Sequence, residues 1–196
     1  PSGWEHLKAT VLELLNYPEL NLLGASVTIP HKENMLKLVE SEDENCTKSG
    51  ATNTVTFKDG KIYGNNTDIE AIKTIAQNAK RVLVLGGGGV ARAAVIAANS
   101  IGARVFVATR RQEQALSLAQ ELPCELVADN LESIDTLINC TPVGMEGGNK
   151  PNGDPALALV PSLELAPPLI VIDTIYKPKD TPLIKRAKDA GCVTFT

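Results

Sequence analysis

Residues 81–111, RVLVLGGGGVARAAVIAANSIGARVFVATRR, limit the fold more than any other part of this 196-residue chain. They read as an apolar strand, a glycine turn, an alanine-rich helix and a second apolar strand. Further strands are expected at residues 137–139 and 169–172, and helices at 112–121 and 182–190. Thr181 is the expected N-cap of the last helix, with Pro182 at its first position. Strands alternating with helices imply βαβ units and a parallel sheet.

Gly86-Gly87-Gly88-Gly89-Val90-Ala91 fits G-x-G-x-x-A. The pattern alone is weak, but here it follows a strand and opens a helix, the context a dinucleotide fingerprint requires. Glycine permits the tight turn and lets backbone N–H groups approach a pyrophosphate, which then faces the helix N-terminus. Gly86, Gly88, Gly89, Val90 and Ala91 are therefore candidate cofactor contacts. Small Ala91, Ala93 and Ala94 would let helix and sheet pack closely. At the end of the second strand an NAD site usually carries a carboxylate for the ribose hydroxyl. Here Thr109-Arg110-Arg111 follows instead. Guanidinium offers a planar fork of donors to phosphate. By charge alone the arginines equally suit a solvated surface. Their place after the strand favours NADP, with Arg110 and Arg111 at the 2′-phosphate.

The preceding residues differ in texture. A helix is expected from Trp4 until Asn16-Tyr17-Pro18 ends it. A short strand at 25–29 leads to a helix whose buried face is Met35, Leu36 and Val39. Strands at 52–57 and 61–63 flank Lys58-Asp59-Gly60, a hairpin turn. Thr67-x-x-Glu70 is a capping-box pattern before a helix reaching about residue 78. We place a domain boundary near residue 79, giving an α/β protein of two α/β domains, residues 1–78 and 79–196. Residues 149–155 form a polar loop.

Composition narrows the function. The chain is 43% apolar but only 4% aromatic, so its cores are aliphatic. A net charge of −4 and a pI of about 5.3 argue against a nucleic-acid surface. No apolar run reaches membrane-spanning length, and no signal peptide is evident. Cys46, Cys124, Cys140 and Cys192 lack metal-ligand spacing, so no metal site is expected and free thiols in a reducing cytoplasm are.

Lys32 follows Pro30 at a helix start, where the dipole disfavours an ammonium. That makes it a candidate proton-transfer lysine, although a lysine so placed is, taken alone, more often a surface residue balanced by Glu33. Asp68 stands in a first helical turn, where a carboxylate helps any helix. Asn53 suits a turn, and Tyr176 an ordinary loop. Together Lys32, Asp68 and Asn53 place an acid, a base and an amide partner outside the cofactor domain, the division of labour of a two-domain dehydrogenase.

The ordered motifs SVTIPHK, GATNT, NNTD, GGGGVARA, ATRR, NCTPVGM and DTIYKPKDTPLIKRAKDAG resemble shikimate dehydrogenase over nearly the whole chain. The resemblance implies reversible reduction of 3-dehydroshikimate by NADPH to shikimate, in chorismate and aromatic amino acid biosynthesis. It implies Lys32 and Asp68 as the catalytic pair, with Ser26, Thr28, Asn53, Asp68 and Tyr176 at the substrate. It adds Thr109, Asn139, Thr141, Met145 and Thr174 to the cofactor contacts. Its setting would be the cytoplasm, or the plastid in a plant, as monomer or homodimer. Quinate/shikimate dehydrogenation with NAD is the alternative, and a non-catalytic nucleotide-binding relative the alternative of another class. The NTDIEA form is most similar to the dehydrogenase half of bifunctional dehydroquinate dehydratase–shikimate dehydrogenases, so a fused dehydratase domain is compatible.

Departures from the family pattern are Ser26 where asparagine is usual, and Gln114 where a second basic residue is expected. No Ser-x-Ser carboxylate motif is seen before residue 25, and no glutamine-bearing helix closes the chain. The substrate-binding domain is thus expected to lack an N-terminal part, and the Rossmann-like NADP-binding domain its C-terminal helices. The 196-residue chain by itself is expected to turn over shikimate poorly. Normal shikimate-dependent NADP reduction by the purified chain would refute this.

Overall fold

The computed structural model describes residues 3–28, 30–127 and 133–196. It divides into two compact units, Pro1–Ile69 and Glu70–Thr196.

The first unit begins with α1 (Gly3–Leu14), which lays half-buried Trp4, Leu7 and Val11 on a small core of Val27, Met35, Val55 and Ile62. Its sheet comprises β1 (Gly24–Ser26), β2 (Ser41–Glu42), β3 (Thr54–Lys58) and β4 (Lys61–Asn65), in the order β1-β3-β4-β2. The hairpin turn between β3 and β4 places Asp59 at φ 52° and Gly60 at φ 72°. Two successive left-handed residues match the twist of the strands they join. Strand β1 stops at Ser26, short of the expected end at 29. Val27 still donates to the Asn53 carbonyl at 2.7 Å, but the chain then turns, with His31 N–H on the Thr28 carbonyl. Pro30, which lacks an N–H, suits that turn. Ile29 itself lies outside the described residues. Three short helices complete this part: α2 (Lys32–Leu36), α3 (Glu44–Ser49) and α4 (Asp68–Ile75), the last containing the division between the units.

The second unit alternates strand and helix: β5 (Arg81–Leu85), α5 (Gly89–Ser100), β6 (Arg104–Ala108), α6 (Gln112–Glu121), β7 (Glu125–Leu126), β8 (Thr136–Asn139), α7 (Pro155–Leu159), β9 (Ile170–Asp173), α8 (Pro182–Asp189) and β10 (Val193–Phe195). Every neighbouring pair in its sheet is parallel. The order β10-β9-β8-β5-β6-β7 reverses direction between β8 and β5. This is the doubly wound order in which ligands bind beyond the strand C-termini at the reversal. Leu83, Leu85, Leu137, Val171, Leu183 and Ile184 are buried in its core. Ala91, Ala93, Ala94, Ala97 and Ala98 bury the inner face of α5, as their small side chains allow. Among the described residues no helix is long and apolar enough to cross a membrane.

Candidate functional site

In the first unit, three segments distant in sequence bring Lys32, Asn53 and the pair Thr67-Asp68 together. Lys32 is the first residue of α2, a helix of only five residues. A helix this short has little dipole to oppose an ammonium, and Asp68 meets the charge directly. The Lys32 Nζ lies 2.6 Å from Asp68 Oδ2, with the side chains 15% and 25% exposed. Buried Met35 anchors α2 to the core, the Lys32 carbonyl accepts from Thr52 N–H, and His31 rests its ring near Trp4 of α1.

Asp68 is held just as firmly. Its other carboxylate oxygen accepts from Asn53 Nδ2 at 2.7 Å, and its backbone N–H donates to Asn66 Oδ1. Asn66 is buried and donates to Ser49 Oγ and the Ala51 carbonyl. Asn53 is fixed from both sides: its N–H donates to the Asn65 carbonyl and its own carbonyl accepts from Val27. Its Oδ1 accepts from Thr67 N–H at 3.0 Å, and its Nδ2 also donates to the Thr67 hydroxyl at 2.9 Å. Thr67, read from sequence as half of a capping box, thus bonds Asn53. Thr67 and Asn66 were not among the sequence candidates. The NNTD run holds both, but only the register of β3 on β4 brings it to Asn53. Ser26 faces Thr54 across β1 and β3, and both Ser26 and Thr28 are exposed.

An ammonium carries three donors, and one is taken by Asp68. The cluster can offer a proton from Lys32 while a carboxylate beside it stabilises the positive charge.

In the second unit, the glycine turn sits at the sheet reversal. Gly86 has φ 116°, and a Cβ there would lie 3.1 Å from the Cys140 carbonyl oxygen beyond β8. A Cβ on Gly87 would come within 2.9 Å of Gln114 Cβ. That contact with the first turns of α6 is invisible in the sequence motif. Gly88, the N-cap of α5, supplies no capping side chain and has open space where a Cβ would point. The first-turn N–H groups of α5 are therefore suited to an anion. Val90 is half-buried and Ala91 fully buried.

The Thr109 hydroxyl donates to the Arg111 carbonyl at 2.6 Å and shapes the turn after β6. Arg110 and Arg111 are exposed, and among the described residues neither forms an ion pair.

Beyond β8 the candidates have different surroundings. Asn139 is fully buried, and its amide bonds only protein groups: Nδ2 donates to Asp173 Oδ1, and Oδ1 accepts from the N–H and hydroxyl of Thr141. Thr174 donates its hydroxyl to the Asn139 carbonyl, and Met145 is half-buried in the following loop. Tyr176 is 79% exposed. Burial pushes the Cys46 thiol up to about 12, and it raises Cys124 and Cys192 as well, so none of these is a ready thiolate.

Residues 5–55 match the family model described as the shikimate dehydrogenase substrate binding domain. The chain is similar to shikimate dehydrogenase (NADP(+)) of Ignicoccus hospitalis, 38% identical over 180 residues, 87% of this chain and 65% of the relative. It is 35% identical to shikimate dehydrogenase (NADP(+)) of Methanocella arvoryzae, across 97% of this chain and 72% of that protein. Its structure is similar to the crystal structure of shikimate dehydrogenase from Aquifex aeolicus, with a TM-score of 0.78 and 32% identity. That match covers 97% of this chain and 70% of the other. The chain spans just under two thirds of the length of the first of these relatives.

Proposed function

The chain belongs to the shikimate dehydrogenase family, and from this premise we propose that its protein reduces 3-dehydroshikimate reversibly to shikimate with NADPH, a step toward chorismate and the aromatic amino acids. One observation carries the reading most: Lys32, Asp68 and Asn53 converge on one hydrogen-bonded cluster in the unit that contains the substrate-binding match.

The bound nicotinamide supplies a hydride for the substrate carbonyl carbon. Lys32 donates the proton that converts the carbonyl oxygen to a hydroxyl, and withdraws it in the reverse direction. Asp68 aims the Lys32 ammonium, and its partner Asn53 keeps that carboxylate from rotating. Asp68, Asn53, Thr28 and Ser26 hydrogen-bond the ring hydroxyls. Such polar complementarity discriminates strongly, because an absent hydroxyl leaves desolvated groups unpaired.

For the cofactor, the open face of Gly88 and the uncapped start of α5 suit a pyrophosphate. The β6 end carries Thr109, Arg110 and Arg111 and no carboxylate, which suits a 2′-phosphate. Gln114 packs beside Gly87, so the second positive charge comes from Arg111. We assign residues 1–78 to substrate and 79–196 to NADP, in a cytoplasmic or plastid enzyme acting as monomer or homodimer.

Initial rates with shikimate or quinate, each with NADP or NAD, test the function in the natural open reading frame that encodes this chain. Shikimate with NADP should be fastest, and equal or better rates with quinate and NAD would overturn the reading. Replacing Arg110 and Arg111 together by alanine should raise the KM for NADPH by about tenfold or more, near 1.4 kcal/mol. The KM for NADH should stay within about twofold, since both charges act on the phosphate that NADH lacks.

A further inference from the structure

We infer that Asp173 is a positioning residue, which holds the segment from Asn139 to Met145, on the β8 side of the sheet reversal and opposite the β6 end that carries Arg110, in the conformation that receives the nicotinamide half of the dinucleotide. The inference rests on the cofactor reading above. Asp173 ends β9, is 2% exposed, and accepts three hydrogen bonds. Its Oδ1 takes Asn139 Nδ2 at 2.9 Å and Ile175 N–H at 3.1 Å, and its Oδ2 takes the Thr181 hydroxyl at 2.7 Å.

Those three donors join the ends of two strands to the start of α8, because Thr181 also caps that helix by accepting from Ile184 N–H. The order extends outward through Asn139. With Nδ2 committed to a carboxylate, which only accepts, Asn139 must turn Oδ1 toward Thr141. Thr141 then donates both its N–H and its hydroxyl to that oxygen, and its hydroxyl accepts from Val143 N–H. Gly144 packs against the same cap: at φ 99°, a Cβ there would lie 3.3 Å from Thr181 Cβ. Burial raises the Asp173 carboxyl above its usual range, opposed by its three donors. A buried acceptor of this kind is costly to leave partly unpaired.

An alanine at 173 removes both acceptor oxygens. The Asn139 amide then has no carboxylate to fix which way it turns, and Thr141 loses its fixed partner with it. An asparagine would not suffice, because it can keep its Oδ1 toward Asn139 and Ile175 and turn its NH2 to the second lone pair of the Thr181 hydroxyl. The residues around the glycine turn and Arg110 remain as they were.

The test is calorimetric titration of wild type, Asp173→Ala and Thr181→Ser, in the natural open reading frame, with NADP+ and with 2′-phospho-ADP-ribose, which lacks nicotinamide. Asp173→Ala should weaken NADP+ binding by about tenfold yet leave the fragment within about twofold. Thr181→Ser, which keeps the hydroxyl on both partners, should match wild type with both ligands. Steady-state rates should show kcat reduced with the KM for 3-dehydroshikimate unchanged. Equal loss of both ligands would mark Asp173 as merely structural, and no loss of either would likewise overturn the inference. A wild type that binds neither ligand would overturn the cofactor reading first, and this inference with it. Should Asp173→Ala fail to fold, Asn139→Ala, which removes the amide through which Asp173 orders Thr141, replaces it with the same expected selectivity.

Discussion

Replacing Lys32 by alanine is expected to lower kcat for 3-dehydroshikimate reduction by about 100- to 10,000-fold, the range general acid–base groups contribute. NADPH affinity should change little, because Lys32 lies in the first unit and the glycine turn in the second. The structure explains why the loss should fall on the chemical step. Lys32 is held by one 2.6 Å contact to Asp68, and Asp68 is held in turn by Asn53 and Asn66. Removing the ammonium leaves that scaffold with its remaining bonds, so folding should survive and the effect should be kinetic. Stopped-flow oxidation of NADPH alongside calorimetric binding separates the two quantities. An unchanged kcat would defeat the proton-donor role of Lys32, and a parallel collapse of Tm would reassign it to stability.

The second large effect is expected at Gly86. Its φ of 116° lies in a region that residues with a Cβ rarely enter. Alanine there also meets the Cys140 carbonyl oxygen at 3.1 Å, and that oxygen belongs to backbone rather than to a flexible side chain. Backbone strain of this type costs about 1–3 kcal/mol, and a Tm drop of several degrees should follow. The turn must move to relieve it, which shifts the start of α5. NADPH affinity should therefore fall by about tenfold or more, while Gly88→Ala, with open space at its Cβ, should keep the wild-type Tm. Calorimetry of the three proteins checks both statements. A Gly86→Ala protein with wild-type Tm and affinity would show that the turn tolerates a side chain.

Much of the second unit was legible because its signals are local. The helix at Gln112–Glu121, the Thr181 cap and the run of strand, glycine turn and helix all depend on neighbours within a few residues. The β3–β4 hairpin is similar, since Asp-Gly at a two-residue turn is a short-range signal. The end of β1 was misread because alternation alone extends through residues 27–29, whereas the chain leaves the sheet after Val27 to start α2.

The candidate site was less legible. Lys32 looked like a poor helix starter, and the structure answers that objection with a five-residue helix and an adjacent carboxylate. Thr67 directly precedes α4, where a cap belongs, but its bonds to Asn53 could not be read from the sequence. Asn139, grouped with the cofactor contacts, has its side chain sealed against Asp173 and Thr141.

By itself the sequence determined the α/β class, the parallel sheet around a glycine turn, and the absence of a carboxylate after β6. Each follows from hydrophobic period, positive φ or residue type at one place in the chain. Only the tertiary structure decided that Lys32, Asn53 and Asp68 share one cluster, that Gln114 fills the space beside Gly87, and that Asp173 anchors Asn139 and Thr181. These pairs are brought together by strand order and register, and a buried acceptor finds its donors only once the strands have packed.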